Sequence, residues 1–374
     1  MTIFVTNIWN HYTTTIGEPM ARMLGEDNFR LVLVSPIQEE PEFKARRAMG
    51  WKFELPEYKW LVANPQTAEE LAHGEAIRLI EQSEVAVIGA LYGCKRLFRA
   101  VRRRVRSGKT TFFTNERFFK ESITLKWMMR PRNAYNLLYQ AWLASYKNVY
   151  YLPISHWGKT DWEFLGGTAD RVFKWAYMPQ ISEKPTEKKA HDKFRIGWCG
   201  RMLKWKHPEH ILQAVALLPK EYQARCEVSL VGDGECKGTL LRMAAELKIE
   251  GITKFMPYMP VKEVTAWMMG LDAYVFPSDR GEGWGVVLAE AMDRNCVPIA
   301  CVEAGATLDL VNDGENGFVF ERGDISRIAR KLQWLMDHPV ETQLIGLEAW
   351  RSMQSRTPEK WARRLVDYIG KVHR

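Results

Sequence analysis

Short apolar runs alternate with amphipathic stretches along the whole chain. Ile3–Thr6 and Leu31–Val34 read as buried strands, with a helix near Glu18–Leu24 between them. A helical stretch near Thr67–Gln82 precedes a strand at Val85–Ile88. Leu97–Arg106 has helical spacing, Thr110–Thr114 reads as a strand, residues 133–146 as a helix and Val149–Pro153 as a strand. The pattern then breaks at 181–193, which is polar, charged and carries a proline, and reads as a linker. Beyond it the alternation restarts with strand Phe194–Trp198, helix Glu209–Leu218, strand Glu227–Val231 and helix Thr239–Leu247. A strand near Thr253–Met256, a helix near Lys262–Met269 and the strand Ala273–Phe276 follow.

Strands that alternate with helices predict parallel sheets covered on both faces. Two such halves around a linker predict an α/β protein of two Rossmann-like domains facing across a cleft. The domains are 1–180 and 194–357, with 358–374 left as a terminal helix. Ligands of open α/β sheets bind at the carboxyl ends of strands, so candidate chemistry belongs there. The length of 374 residues and 46% hydrophobic content fit two ordinary cores and exclude a disordered chain. Six cysteines without C-x-x-C or zinc spacing read as reduced thiols. Met1–Asn7 reads as a strand rather than a leader, and no apolar run nears the length of a membrane span, so a cytoplasmic protein is expected.

Residues 278–292 carry the most chemistry. Glu282 and Glu290 lie eight positions apart in a strand, glycine-rich loop and helix sequence. That order puts Glu282 at a strand's carboxyl end and Glu290 about two turns into the helix. Free amides at the helix start favour an anion, so one carboxylate can hold sugar hydroxyls and the other a ribose, with a phosphate between.

This pattern resembles the E-x7-E signature of retaining GT-B glycosyltransferases, especially glycosyltransferase family 4. The resemblance implies that Glu282 contacts the donor sugar and Glu290 the nucleotide ribose. It implies that Gly283, Trp284, Gly285 and Val286 line the donor site, although most relatives have Phe in place of Trp284. Gly197–His207 resembles the family's G-R-x(4)-K segment, which implies that Gly200, Arg201 and Lys206 grip the donor diphosphate. Arg offers a bidentate fork and Lys a mobile point charge, so the two cations can offset a diphosphate without metal. Gly232, in a strand-ending turn, and Tyr258 fall where relatives line the nucleotide site; the base, uracil or guanine, stays open. No D-x-D occurs, and no metal or other cofactor is expected. The family also implies a closing helix, Pro358–Val372, that crosses back onto the first domain.

The first half resembles the family less specifically. Asn10 and His11 follow the first strand; His11 either binds or deprotonates an acceptor hydroxyl, or is a capped loop histidine. Many relatives carry a histidine near 115, where this chain has Asn115 and Glu116. Either can substitute, or Glu116 pairs with Arg117 or another cation. His156 ends a later strand and is a further acceptor candidate.

Charge adds one feature. Of the formal net +8, residues 95–132 hold 13 basic and 2 acidic residues. Arg99, Arg102, Arg103 and Arg106 share a helical face, and Trp127 sits among further cations. These suit an anionic membrane surface, the rival being a solvated basic helix. The combined expectation is a retaining hexosyltransferase. It would move a sugar from a UDP- or GDP-linked donor to a saccharide or lipid-linked acceptor, as in capsule or lipopolysaccharide assembly. Such an enzyme would be peripheral on the inner face of the plasma membrane and bind no nucleic acid. The alternatives are a non-catalytic anionic-surface or nucleic-acid binding protein on the same scaffold, and a sugar-nucleotide epimerase.

Overall fold

The computed structural model describes residues 1–6, 11–34, 57–62, 74–89, 95–119, 128–188 and 191–373. These residues form two compact units, Met1–Gln180 with Pro358–Arg374, and Ile181–Thr357.

In the first unit the strands are β1 (Thr2–Thr6), β2 (Phe29–Leu33), β3 (Leu61–Val62), β4 (Val85–Ile88), β5 (Thr111–Asn115) and β6 (Val149–Pro153). They run parallel in the order β3-β2-β1-β4-β5-β6. The helices are α1 (His11–Leu24), α2 (Glu75–Gln82), α3 (Lys95–Arg106), α4 (Pro131–Ala144) and α5 (Gly158–Phe164). Ile3, Val5, Ala86 and Ile88 pack against the apolar stripe Leu97, Ala100, Val101 and Val105 of α3. Three- and four-residue spacing puts that stripe on one side of the helix.

Helix α1 starts seven residues before the predicted Glu18. Its first turn is polar, so no apolar periodicity announces it, and Pro19, which reads as a helix start, lies inside. The first part of the stretch predicted at Thr67–Gln82 lies outside the described residues; α2 covers its end.

In the second unit the strands are β7 (Phe194–Cys199), β8 (Cys226–Val231), β9 (Thr253–Met256), β10 (Ala273–Phe276), β11 (Val297–Cys301) and β12 (Phe318–Phe320). Their order is β12-β11-β10-β7-β8-β9, again parallel. The helices are α6 (Glu209–Ala216), α7 (Lys220–Arg225), α8 (Lys237–Glu246), α9 (Val261–Met269), α10 (Val286–Asp293), α11 (Thr307–Leu310), α12 (Ile325–Asp337) and α13 (Pro339–Met353). The strand cores read as continuous apolar runs because helices cover both sheet faces.

The segment read as a linker is tied along the second unit. The Ser182 amide donates to Asp293 Oδ1 at 3.0 Å, the Thr186 amide to Asn295 Oδ1 at 3.0 Å, and Lys188 Nζ to the Leu271 carbonyl at 2.5 Å. The last helix, α14 (Pro358–Val372), belongs to the first unit. There Glu359 pairs with Arg22 of α1, Trp361 meets Trp175 edge-on at 6.0 Å, and Tyr368 stacks on Phe173 at 4.5 Å.

One arginine of the basic run has a purely structural place. Arg104 is 1% exposed, yet burial only lowers its pKa to about 10, so it stays charged at neutral pH. It donates to the carbonyls of Ile80, Ser83, Glu84 and Thr110 at 2.6–2.9 Å. Removing it strands buried acceptors at about 1–3 kcal/mol each. Arg104→Ala is therefore expected to lower the stability of the first unit by several kcal/mol. Arg99→Ala, on the exposed face of the same helix, should change it by no more than about 0.5 kcal/mol. Urea unfolding of both variants makes the comparison, and equal losses would refute it.

Candidate functional site

The parallel order brings the carboxyl ends of β10, β7 and β8 side by side in the second unit. Three loops leave this edge. After β10 the chain passes Pro277 and a buried Ser278 and reaches Glu282, 8% exposed, and Trp284, 1% exposed. Gly285 turns the chain into α10 with φ at +86°. A Cβ there would lie 2.2 Å from the Phe276 ring, so both the backbone angle and the space demand glycine. The first amides of α10 have no partner within the helix and face the end where an anion is stabilised.

The loop after β7 runs through Gly200 and an exposed Arg201 to Lys206. It packs backbone to backbone on the loop after β8. A Cβ on Gly232 would sit 2.0 Å from the Gly200 carbonyl oxygen, and the Met202 amide donates to the Asp233 carbonyl at 2.7 Å. Tyr258, beyond β9, donates its hydroxyl to the Asp233 carbonyl at 3.3 Å.

The β7 and β10 loops are joined by charge. Lys206 Nζ meets Glu282 Oε2 at 2.5 Å, with both side chains about nine-tenths buried. Ser278 Oγ donates to the same carboxylate oxygen at 3.1 Å, and Lys206 Nζ lies 4.5 Å over the Trp205 ring. The Asp279 amide donates to the Trp205 carbonyl at 2.9 Å. Glu290 is half-buried, the fifth residue of α10. It is thus a little over one turn into the helix rather than two, because the helix begins only at Val286.

Burial, and then the nearby Glu290 carboxylate, push the Cys199 thiol up to about 12. Burial also raises the Tyr274 phenol well above its usual value, with Glu290 and Glu282 adding to the effect. Tyr274 donates its hydroxyl to the Cys199 carbonyl at 3.1 Å, and its oxygen accepts the Cys199 amide at 3.2 Å. Glu282, Glu290, Lys206, Cys199 and Tyr274 are therefore neighbours. Sequence reasoning missed Tyr274, Ser278 and Asp279, which look like ordinary strand and turn residues; only their place beside Glu282 marks them.

In the first unit, Asn10 lies outside the described residues, as does the side chain of His11, which opens α1. Asn115 ends β5 and accepts the Tyr151 hydroxyl at 2.6 Å. Glu116 accepts the Tyr177 hydroxyl at 3.1 Å, and Arg117 approaches Asp161 at 3.7 Å. His156, exposed beyond β6, meets Trp157 edge-on. Asn115, Glu116 and His156 thus leave adjacent strands, whereas His11 follows β1, with β4 between.

The basic face is partly spoken for. Arg103 pairs with Glu81, whereas Arg102 and Arg106 lie over the Trp142 ring at 5.7 and 5.9 Å. Trp127 lies outside the described residues. Just before and within α4, which carries Trp142, Met129, Tyr135 and Leu138 are 75%, 51% and 70% exposed. No helix among the described residues is long and apolar enough to cross a membrane.

Residues 180–348 match the family model described as glycosyl transferases group 1. The capsular polysaccharide biosynthesis glycosyltransferase CapM of Staphylococcus aureus is 26% identical over 185 residues, 47% of each chain. A D-inositol 3-phosphate glycosyltransferase of Thermomonospora curvata is 28% identical over 188 residues, 48% of this chain and 43% of that protein. The chain thus spans about half the length of these curated relatives, or less. Anabaena Alr3699/HepE in complex with UDP has a similar structure, with TM-score 0.73 at 14% identity over 99% of both chains. The same protein has also been solved with UDP-glucose, at TM-score 0.69 and 15% identity over 99% of both chains. WaaG, a glycosyltransferase involved in lipopolysaccharide biosynthesis, reaches TM-score 0.69 at 13% identity, again over 99% of both. At such identities the likeness is one of fold.

The buried pair has a measurable consequence. Removing one partner leaves an unpaired charge, at about 3–5 kcal/mol, whereas removing both leaves none. Lys206→Met and Glu282→Gln are each expected to destabilise the second unit, and the double variant by clearly less than their sum. Additive losses in thermal unfolding would show that the two groups do not interact.

Proposed function

We propose, from the premise that residues 180–348 form a glycosyl transferases group 1 domain in a chain of GT-B fold, that the protein is a retaining glycosyltransferase using a nucleotide diphosphate sugar. The observation that carries this reading is the convergence of Lys206, Glu282 and Glu290 at one sheet edge, with Arg201 on the same loop as Lys206. The UDP-glucose complex of the similarly folded HepE favours a uridine donor.

The pair suggests how the donor enters. Before binding, Lys206 and Glu282 neutralise each other. An arriving diphosphate competes for Lys206 and recruits Arg201 and the first amides of α10. Glu282, released from the lysine, accepts hydrogen bonds from sugar hydroxyls, while Glu290 takes the ribose. The bond from the anomeric carbon to the β-phosphate oxygen then breaks, and a new one forms to the acceptor hydroxyl oxygen. Attack on the same face retains configuration, and the acceptor's proton passes to the leaving phosphate. The cations offset the leaving group, so divalent metal is not required for the transfer itself. The acceptor is a saccharide or lipid-linked oligosaccharide of a surface polysaccharide.

Glu282→Gln should remove nearly all transfer from UDP-sugars while the free nucleotide still binds. Arg201→Ala should weaken donor and UDP binding by about 1.5–3 kcal/mol, the size of a hydrogen bond to a charged group. Calorimetry with UDP and product analysis by mass spectrometry test both. Undiminished turnover by a folded Glu282→Gln protein would overturn the assignment and favour a binding or epimerase role.

The exposed apolar residues beside Arg102 and Arg106 support docking of the first unit on an anionic membrane surface, the cytoplasmic leaflet in a cell. Arg102→Glu with Arg106→Glu should reduce sedimentation with phosphatidylglycerol vesicles, and so should Leu138→Glu, without changing UDP affinity. Wild-type protein that ignores such vesicles at low salt would remove this part of the proposal.

A further inference from the structure

Beside the donor loops, at the start of α6, stands a second cluster of side chains whose chemistry the transfer reaction does not use. His207, Glu209 and His210 offer two imidazoles and a carboxylate whose ligand atoms lie within 4.8 Å of one another. His207 Nδ1 faces Glu209 Oε1 at 2.9 Å, and its Nε2 faces Asp279 Oδ2 at 3.1 Å. The His210 ring lies against that of His207 at 4.7 Å between centroids. His210 Nδ1 is buried and has no hydrogen-bond partner among the described residues. A buried imidazole nitrogen without a partner carries a desolvation cost that nothing in the protein offsets.

We propose that His207, Glu209 and His210 bind a divalent transition metal, zinc by preference, with Asp279 as the outer partner of His207. Two imidazole nitrogens and one carboxylate oxygen are a zinc donor set and leave a fourth position for water. Magnesium is disfavoured, since it takes oxygen ligands and keeps its own waters. A metal-bound histidine commonly donates its second ring N–H to a carboxylate, which fixes tautomer and orientation. His207 has that arrangement already: Nδ1 toward the cluster, Nε2 toward Asp279. Ligands around a tetrahedral zinc, with bonds of 2.0–2.1 Å, are roughly 3.4 Å apart. Closure therefore asks for side-chain movement of about 1 Å, within the reach of χ rotations.

The local backbone is consistent with a held position. His207 has φ at +46°, a left-handed conformation that non-glycine residues rarely adopt and that surrounding contacts must maintain. Asp279 in turn anchors the β10 loop: its Oδ1 accepts the Gly281 amide at 2.7 Å and its carbonyl the Glu282 amide at 2.9 Å. A metal on His207 would thus stiffen the loop that carries Glu282 without touching the diphosphate cations.

The test uses the full chain, freed of metal by chelator and returned to metal-free buffer. Zinc chloride is titrated by calorimetry and in competition with a fluorescent zinc chelator, and melting is followed with and without zinc. One equivalent should bind and raise the melting temperature, while magnesium chloride should do neither. His210→Gln and Glu209→Gln should each weaken zinc binding by at least about tenfold, and Asp279→Asn by about tenfold, with UDP binding by His210→Gln retained. Stoichiometry well below one, or zinc affinity in His210→Gln equal to that of the wild type, would overturn the site. Since the readout is zinc binding, failure here leaves the donor reading untouched, and failure of transfer leaves this site untouched.

Discussion

The second unit is organised around one constraint: Lys206 and Glu282, opposite charges from two different loops, meet where little water reaches them. Such a pair is stable only if both loops are held in place, because an unpaired buried charge costs far more than the pair contributes. Backbone bonds supply that hold. The Asp279 amide reaches the Trp205 carbonyl, the Gly305 amide the Glu282 carbonyl, and the Ala306 amide the Trp284 carbonyl. In a buried pair, desolvation of the two charges offsets much of their attraction. On the proposed reading, a dianionic ligand that takes Lys206 must therefore bring hydrogen-bond donors for Glu282, because the carboxylate left alone would carry the cost of an unpaired buried charge.

The close approach of the loops depends on glycine at particular places. Gly232 and Gly200 meet backbone to backbone, so the loops after β7 and β8 can sit side by side. Gly285 lets α10 start directly behind Phe276, which keeps Glu290 within reach of Cys199 and Tyr274. A longer turn would carry Glu290 away from the pair. The eight-residue spacing between the two glutamates thus matches a single left-handed turn plus one turn of helix.

The alternation of apolar runs was enough to place most strands within a residue or two, because strands buried on both faces have no polar positions to confuse the pattern. Helix starts were less legible. The polar first turn of α1 has no apolar stripe, and the segments next to the acceptor candidates lack periodicity. At the candidate site, the residues Glu282, Glu290, Arg201 and Lys206 were legible because motif and predicted strand ends coincided. Their mutual arrangement was not. That Lys206 lies on Glu282 follows from the strand order β10-β7-β8, a tertiary fact that local sequence does not carry. The same limit hid Tyr274, whose hydroxyl crosses to the neighbouring strand, and His207, whose two ring nitrogens face one carboxylate at the start of α6 and another on the loop after β10.

Charge was the property that sequence counting described least well. Within residues 95–132 the formal count treats every cation alike, yet Arg104 is enclosed by carbonyls, Arg103 is paired with Glu81, and Arg117 faces Asp161. Among the described residues Arg99, Arg102 and Arg106 of α3 stay exposed, and so do the apolar Met129, Tyr135 and Leu138 at and before α4. The outward field is weaker than the count implies, and its apolar neighbours matter more. Coulomb attraction to an anionic surface fades beyond a Debye length of about 8 Å at physiological salt. Burial of apolar side chains does not fade with salt, and contributes about 25 cal/mol per Å² removed from water. If the surface docks as proposed, charge would draw the partner in and apolar contact would hold it, so salt alone should loosen it less than loss of Leu138 and Met129.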